Sequence, residues 1–259
     1  EEGVIELRGA RHPLLAGKAV PLNVAVGEGY RSLLITGPNT GGKTATIKTV
    51  GLLALMAQSG LLVPAEEGSK LAVFRAVEAD IGDDQSLDRS LSTFSSHLKN
   101  VIDILAEADR RTLVLLDELA TGTDPGEGIG LSIAVLEELH RRGAVVLATT
   151  HFNEIKEYAR VTPGYRNARM AFDEETLRPL YRLDMGEAGN SYAFVIARKL
   201  GIAEGIVERA RAIAEGLRSG RPSAPIAAAP AASGETEAGD GRPKRGAKAE
   251  RVAPAPAPA

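Results

Sequence analysis

The 259-residue chain contains no cysteine. That absence excludes disulfides, thiol nucleophiles and thiolate metal sites, and it fits a reducing, cytoplasmic setting. Tryptophan is also missing and aromatic residues make up only 4%, although a hydrophobic content of 44% is ordinary for a globular protein. Neither sign of charge dominates: 31 Lys and Arg stand against 34 Asp and Glu, a net charge of -3. A global basic field of the kind that draws in nucleic acid is therefore excluded, while a local patch stays open. No apolar run approaches the ~18 residues of a membrane helix, and the acidic start is no signal peptide. The four histidines, His12, His97, His140 and His151, have no metal-ligand spacing. A start at Glu1-Glu2 without Met predicts a fragment of a longer protein, with room for one large α/β domain or two small ones.

What is present centres on residues 33–44, LLITGPNTGGKT. Leu33, Leu34 and Ile35 read as a buried strand, and Ala45 to Gln58 as a helix. Between them Gly37-Pro38-Asn39-Thr40-Gly41-Gly42-Lys43-Thr44 satisfies G-x-x-x-x-G-K-[ST], in the strand–loop–helix context that a phosphate-binding loop requires. Glycines 37, 41 and 42 let backbone N–H groups turn around an anion with no Cβ in the way. The new helix aims its positive end at the same place. Lys43 is expected to reach the β- and γ-phosphates and the Thr44 hydroxyl to ligate Mg²⁺, so the chain is expected to bind a nucleoside triphosphate.

Further along, Thr112 to Leu116 reads as a strand covered on both faces and ends in Asp117-Glu118. An Asp at such a tip beside a phosphate loop orients Mg²⁺, and the neighbouring Glu is placed to polarise an attacking water. A second buried strand, 144–149, ends in Thr150-His151, where His151 can meet the γ-phosphate or the water. Ser90 to His97 opens a helix whose apolar face is Phe94, Leu98, Val101, Ile102 and Leu105; its clustered hydroxyls, Ser92 and Thr93 among them, serve as N-caps or as an anion site. Gln85 lies in a polar loop before that helix. His12 is as compatible with a plain loop histidine as with a contact to the nucleotide base.

The remaining pattern gives strands at 4–7, 22–26 and 72–77, and a helix over 127–142 after the turn 119–126, with Ile129, Ile133, Leu136 and Leu139 buried. A hairpin covers 168–182. Two short helices flank Gly201; the second carries Ile206, Ala210, Ile213 and Leu217 on one face. Residues 218–259, rich in Ala, Pro and Gly and without aromatics, read as a disordered tail.

The order of these motifs resembles that of ATP-binding-cassette ATPases, whose nucleotide site is completed by a second subunit. Within them the chain resembles the ATPase domain of the MutS-type proteins, on Arg11-His12-Pro13, Thr36 to Thr44, Ser92-Thr93-Phe94, Asp117-Glu118, Gly122-Thr123, Thr149-Thr150-His151 and Ser191-Tyr192. Residues 117–125 and 190–194 look more like the second, Smr-associated MutS branch. The resemblance implies a P-loop α/β fold with a mostly parallel central sheet, an antiparallel β part and a helical appendage at about 187–217, all within a domain 1–217. It implies ATP and Mg²⁺ as ligands, hydrolysis with Lys43, Glu118 and His151 as catalytic groups, and Thr44 and Asp117 at the metal. Ser92 and Thr93 would act in trans, and Gly122, Thr123 and Asp124 would lie at a homodimer interface. Regions absent from this chain would handle DNA, branched DNA included, or the ribosome, in control of recombination, in DNA repair or in ribosome rescue. An ATP-gated dimerisation module with incidental hydrolysis is the alternative. A transporter-type cassette would carry Gly-Gly-Gln where Ser-Thr-Phe stands. The aromatic that MutS proteins often place before residues 21–23 is absent here, where Gly17-Lys18-Ala19-Val20 stand.

Overall fold

A computed structural model describes residues 3–15, 17, 19–82, 93–118, 122–189 and 192–219. Gln85, Ser90 to Ser92, residues 119–121, Asn190, Ser191 and the tail beyond Ser219 lie outside the described residues. Residues 1–211 form one compact unit; the second, 212–259, is described only through the end of the last helix.

Three runs with no polar alternation decide the architecture. β3 (Ser32–Thr36), β6 (Thr112–Leu116) and β7 (Val145–Thr149) are buried at every residue, as strands covered on both faces must be. Together with β5 (Ala76–Asp80), β8 (Tyr165–Asp173) and β9 (Arg178–Met185) they form a six-stranded sheet ordered β5-β6-β7-β3-β8-β9. Pairing is parallel from β5 to β8, and β9 closes the edge antiparallel to β8. The domain is thus α/β with a mixed sheet.

Alternate side chains of these strands serve two cores. Leu33, Ile35, Leu113, Leu115, Val145 and Leu147 point to one face, where they meet Ile47, Val50 and Leu53 of α1 (Lys43–Gln58) and the antiparallel sheet of β1 (Ile5–Ala10), β2 (Leu22–Val26) and β4 (Lys70–Leu71). Leu34, Val114, Leu116 and Val146 point to the other, against α2 (Thr93–Glu107), α3 (Pro125–Arg141) and α4 (Asn153–Val161). Two helices, α5 (Ala193–Lys199) and α6 (Glu204–Arg218), follow the hairpin.

Several expectations shift. The strand read at 72–77 begins only at Ala76, because Ala72, Phe74 and Arg75 direct their N–H groups to Val4 O, the Gln58 side chain and Arg111 O rather than to a ladder. On α2 Ile102 is exposed and Ile104 is buried instead, one turn from Val101. The short helix α4 has no counterpart in the sequence reading. On α6 the face of Ile206, Ile213 and Leu217 is exposed, and Val207 is the buried residue.

α1 lies close on β6 because residue 51 has no side chain. A Cβ there would overlap Leu115 Cδ1. Gly51→Val should therefore lower stability in urea unfolding by about 1–3 kcal/mol through overpacking. An unchanged unfolding midpoint would contradict this close approach.

Candidate active site

Parallel strands with a reversal of order between β3 and β7 bring their carboxyl ends to one edge, where α/β sheets bind ligands. The glycine loop leaves β3 through Gly37 (φ 133), makes one 3₁₀ turn at Asn39–Gly41, and enters α1 at Gly42 (φ 91). Asn39 and Thr40 are exposed on that turn, and Pro38 before them is half-buried. The glycines have neighbours as well as freedom. A Cβ on Gly37 or Gly41 would stand 3.1 or 3.2 Å from Met170 Cβ, and one on Gly42 3.1 Å from the Tyr181 ring. α1 starts with no capping side chain and no acidic residue in its first turn. Its first N–H groups and its dipole are thus offered to an anion.

Lys43 is 2% exposed. Its Nζ donates to Gly37 O and to Asn39 Oδ1, each at 2.9 Å, and lies 3.8 Å from Glu118 Oε1. Burial pulls its ammonium below the ordinary lysine pKa, against the opposing pull of Glu118 and Asp117. The Asp117 carboxylate is clamped from two sides: Thr44 Oγ1 on α1 donates to Oδ2 at 2.6 Å, and Thr149 Oγ1 on β7 donates to Oδ1 at 2.5 Å. The Glu118 N–H donates to the same Thr149 oxygen at 2.9 Å, and Glu118 sits in the left-handed region at φ 48. A cavity of about 340 Å³ opens here, lined by Asn39, Lys43, Thr44, Lys48, Gly82, His97, Asp117 and Glu118.

The oxygens of Thr44 and Asp117 suit a hard cation. Among the described residues no group of three or more His, Cys, Asp or Glu could hold a metal. That donor set fits Mg²⁺, which keeps waters and takes its remaining ligands from substrate phosphates.

On the other side of the first turn of α1 lies a mostly apolar cavity of about 400 Å³, lined by His12, Leu15, Leu22, Thr46, Met170 and Tyr181 among others. His12 is thus placed where a base could sit, its Nδ1 accepting from the Leu14 N–H. His151 is not among the walls of the Lys43 cavity. It is exposed, lies tilted against the Phe152 ring with centroids 4.2 Å apart, and lines a hollow with Gly37, Pro38 and Asn39 on the other flank of the loop. Gly122 and Thr123 lead into α3, and Asp124 caps it by accepting from the N–H groups of Gly126 and Glu127.

Tyr181 and His97, which line these cavities, and the buried Thr149, bonded to Asp117, have no role in the sequence reading. Tyr181 supplies the ring of the apolar cavity from β9, held at φ 54 and half exposed. Thr149 joins Asp117 to Glu118. His97 borders the Lys43 cavity, its Nδ1 held 2.9 Å from the buried Asp80 carboxylate, whose other oxygen accepts from Asn100. The only local signal is at Thr149, in the Thr-Thr-His run at a strand end.

The sequence pattern of MutS domain V matches residues 33–218. The chain is 56% identical over 212 residues to a protein named endonuclease MutS2 from Shouchella clausii, covering 82% of this chain and 27% of that protein. It is 57% identical over 211 residues to the endonuclease MutS2 of Geobacillus kaustophilus, covering 81% of this chain and 27% of that one. The chain therefore spans about a quarter of the length of these relatives. With the domain pattern running through the glycine loop, Asp117-Glu118 and both C-terminal helices, the chain belongs to the MutS family, as a domain V of the MutS2 type.

Proposed function

We propose that this domain is an ATP hydrolase of the ATP-binding-cassette class, working as a homodimer and driving the DNA-handling regions of a MutS-type parent protein. The observation that carries the reading is the convergence of Lys43 and Thr44 with Asp117 and Glu118, from two distant segments, into one cavity at the uncapped start of α1. A phosphate-binding turn alone would need neither carboxylate.

In this reading the phosphates lie along the N–H groups of residues 37–44 and displace Lys43 from Gly37 O and Asn39 Oδ1 toward the terminal phosphates. Thr44 and Asp117 hold Mg²⁺, which supplies positive charge to the phosphate oxygens. Glu118 positions a water and takes its proton as the water oxygen bonds to the γ-phosphorus and the bond to the β–γ bridging oxygen breaks, giving ADP and phosphate. His151 approaches the same loop from its other flank, as a contact for the terminal phosphate. Ser92 and Thr93 close the site from the second copy, with the 122–124 turn at the interface and the exposed apolar face of α6 in the dimer contact. The name of the relatives, endonuclease MutS2, supports a parent that acts on nucleic acid; in this reading its work is control of recombination or DNA repair. Among the described residues no helix is long and apolar enough to cross a membrane.

The apolar cavity takes adenine, and Tyr181 is the ring that stacks on it, in place of the aromatic missing from residues 17–20. Its position across α1's first turn from Lys43 supports this.

Glu118→Gln should bind ATP with near-normal affinity and turn it over at least ~100-fold more slowly, the usual scale of a lost general base. Turnover close to that of the unaltered protein would remove Glu118 from the role. Tyr181→Ala should weaken ATP binding about 5- to 150-fold, in line with ~1–3 kcal/mol per stacked base, and should leave affinity for inorganic triphosphate unchanged. Equal losses for both ligands would place the base elsewhere.

A further inference from the structure

We propose that Thr149 is the positioning residue of this site: one hydroxyl fixes both the metal-facing carboxylate and the backbone that presents the water-activating one. The inference rests on the ATPase reading and goes beyond it, since neither the motif nor that reading gives Thr149 a task.

Thr149 is the last residue of β7, the strand lying between β3 and β6, and it is fully buried. Its Oγ1 has one hydrogen and two lone pairs to offer. The hydrogen goes to Asp117 Oδ1 at 2.5 Å, and a lone pair takes the Glu118 N–H at 2.9 Å. Each bond has a consequence. With Oδ1 engaged by Thr149, the carboxylate plane of Asp117 is fixed and Oδ2 is the oxygen turned toward Thr44, at 2.6 Å. A carboxylate held on both sides cannot rotate away when a cation arrives, so the cation meets a preorganised donor.

The second bond concerns Glu118. A non-glycine residue at φ 48 is in a region that side-chain-bearing residues enter at a cost, and it persists only where the surroundings hold it. The Thr149 oxygen is the partner of the Glu118 N–H in that conformation. Removing the hydroxyl leaves the N–H without that partner and loosens the turn, so the Glu118 carboxylate leaves the place where it would meet a water. The γ-methyl of Thr149 does neither job, so the role belongs to the oxygen alone.

Thr149→Val keeps size and branching and deletes the oxygen; Thr149→Ser keeps the oxygen and deletes the methyl. In the full 259-residue chain, the Val variant should bind a fluorescent ATP analogue in EDTA within about 2-fold of the unaltered protein, because loop and α1 are intact. Its gain in affinity on adding Mg²⁺ should shrink about 5-fold or more, and kcat should fall about 10- to 100-fold with KM changed far less. The Ser variant should recover both to within about 5-fold. If the Val variant matches the unaltered protein in Mg²⁺ response and in kcat, the inference is wrong while the ATPase reading stands. If Ser fails as badly as Val, or if affinity in EDTA falls in parallel with kcat, Thr149 is only a packing residue and the inference is again wrong. No ATP binding by the unaltered protein would end the nucleotide reading and this inference together.

Discussion

A hydroxyl and a carboxylate 2.6 Å apart, Thr44 on the first turn of α1 and Asp117 beyond β6, tie together the parts on which everything else depends. They come from segments 73 residues apart. Their meeting requires β3 and β6 to run parallel with β7 between them, and α1 to lie close on the sheet. The first condition is set by strands buried on both faces, the second by Gly51 against Leu115. Hydrophobic patterning thus fixes the place of the polar chemistry without taking part in it.

The site is costly to hold. Lys43 is a cation buried to 2% exposure, and its neighbours only partly offset that burial. Glu118 is kept in a left-handed conformation. α1 begins without a side-chain cap, whereas α3 has one in Asp124. Local rules are broken at adjoining positions on one sheet edge, and such clustering is expected where structure serves a ligand rather than stability. A triphosphate with its metal would satisfy the N–H groups of α1 and add a closer partner of opposite charge for Lys43 than Glu118 at 3.8 Å.

How much of this can be read from the sequence follows from the range of each interaction. β3, β6 and β7 are unbroken apolar runs, and the loop, Asp117 and Glu118 sit at the ends of such runs, so strand, loop and carboxylates are legible together. The late start of β5 is not, because Phe74 spends its N–H on the Gln58 side chain, a contact no alternation announces. α4 is hard to read because its stripe of Ile155, Tyr158 and Ala159 spans only part of a nine-residue helix. Tyr181 reaches the apolar cavity only because β9 folds back on β8 and β8 pairs in parallel with β3. His97 gains its place through Asp80, a partner 17 residues away at the end of β5. The apolar cavity is therefore tertiary information, whereas the glycine loop with Lys43 and Thr44 is written in one local motif.

A crystal structure with Mg²⁺ and a non-hydrolysable ATP analogue tests the central claim most directly. The account predicts Lys43 Nζ released from Gly37 O and Asn39 Oδ1 onto the terminal phosphates, with the metal at Thr44 Oγ1 beside Asp117. A nucleotide bound away from residues 37–44, or a Lys43 still bonded to Gly37 and Asn39 beneath it, would contradict the account.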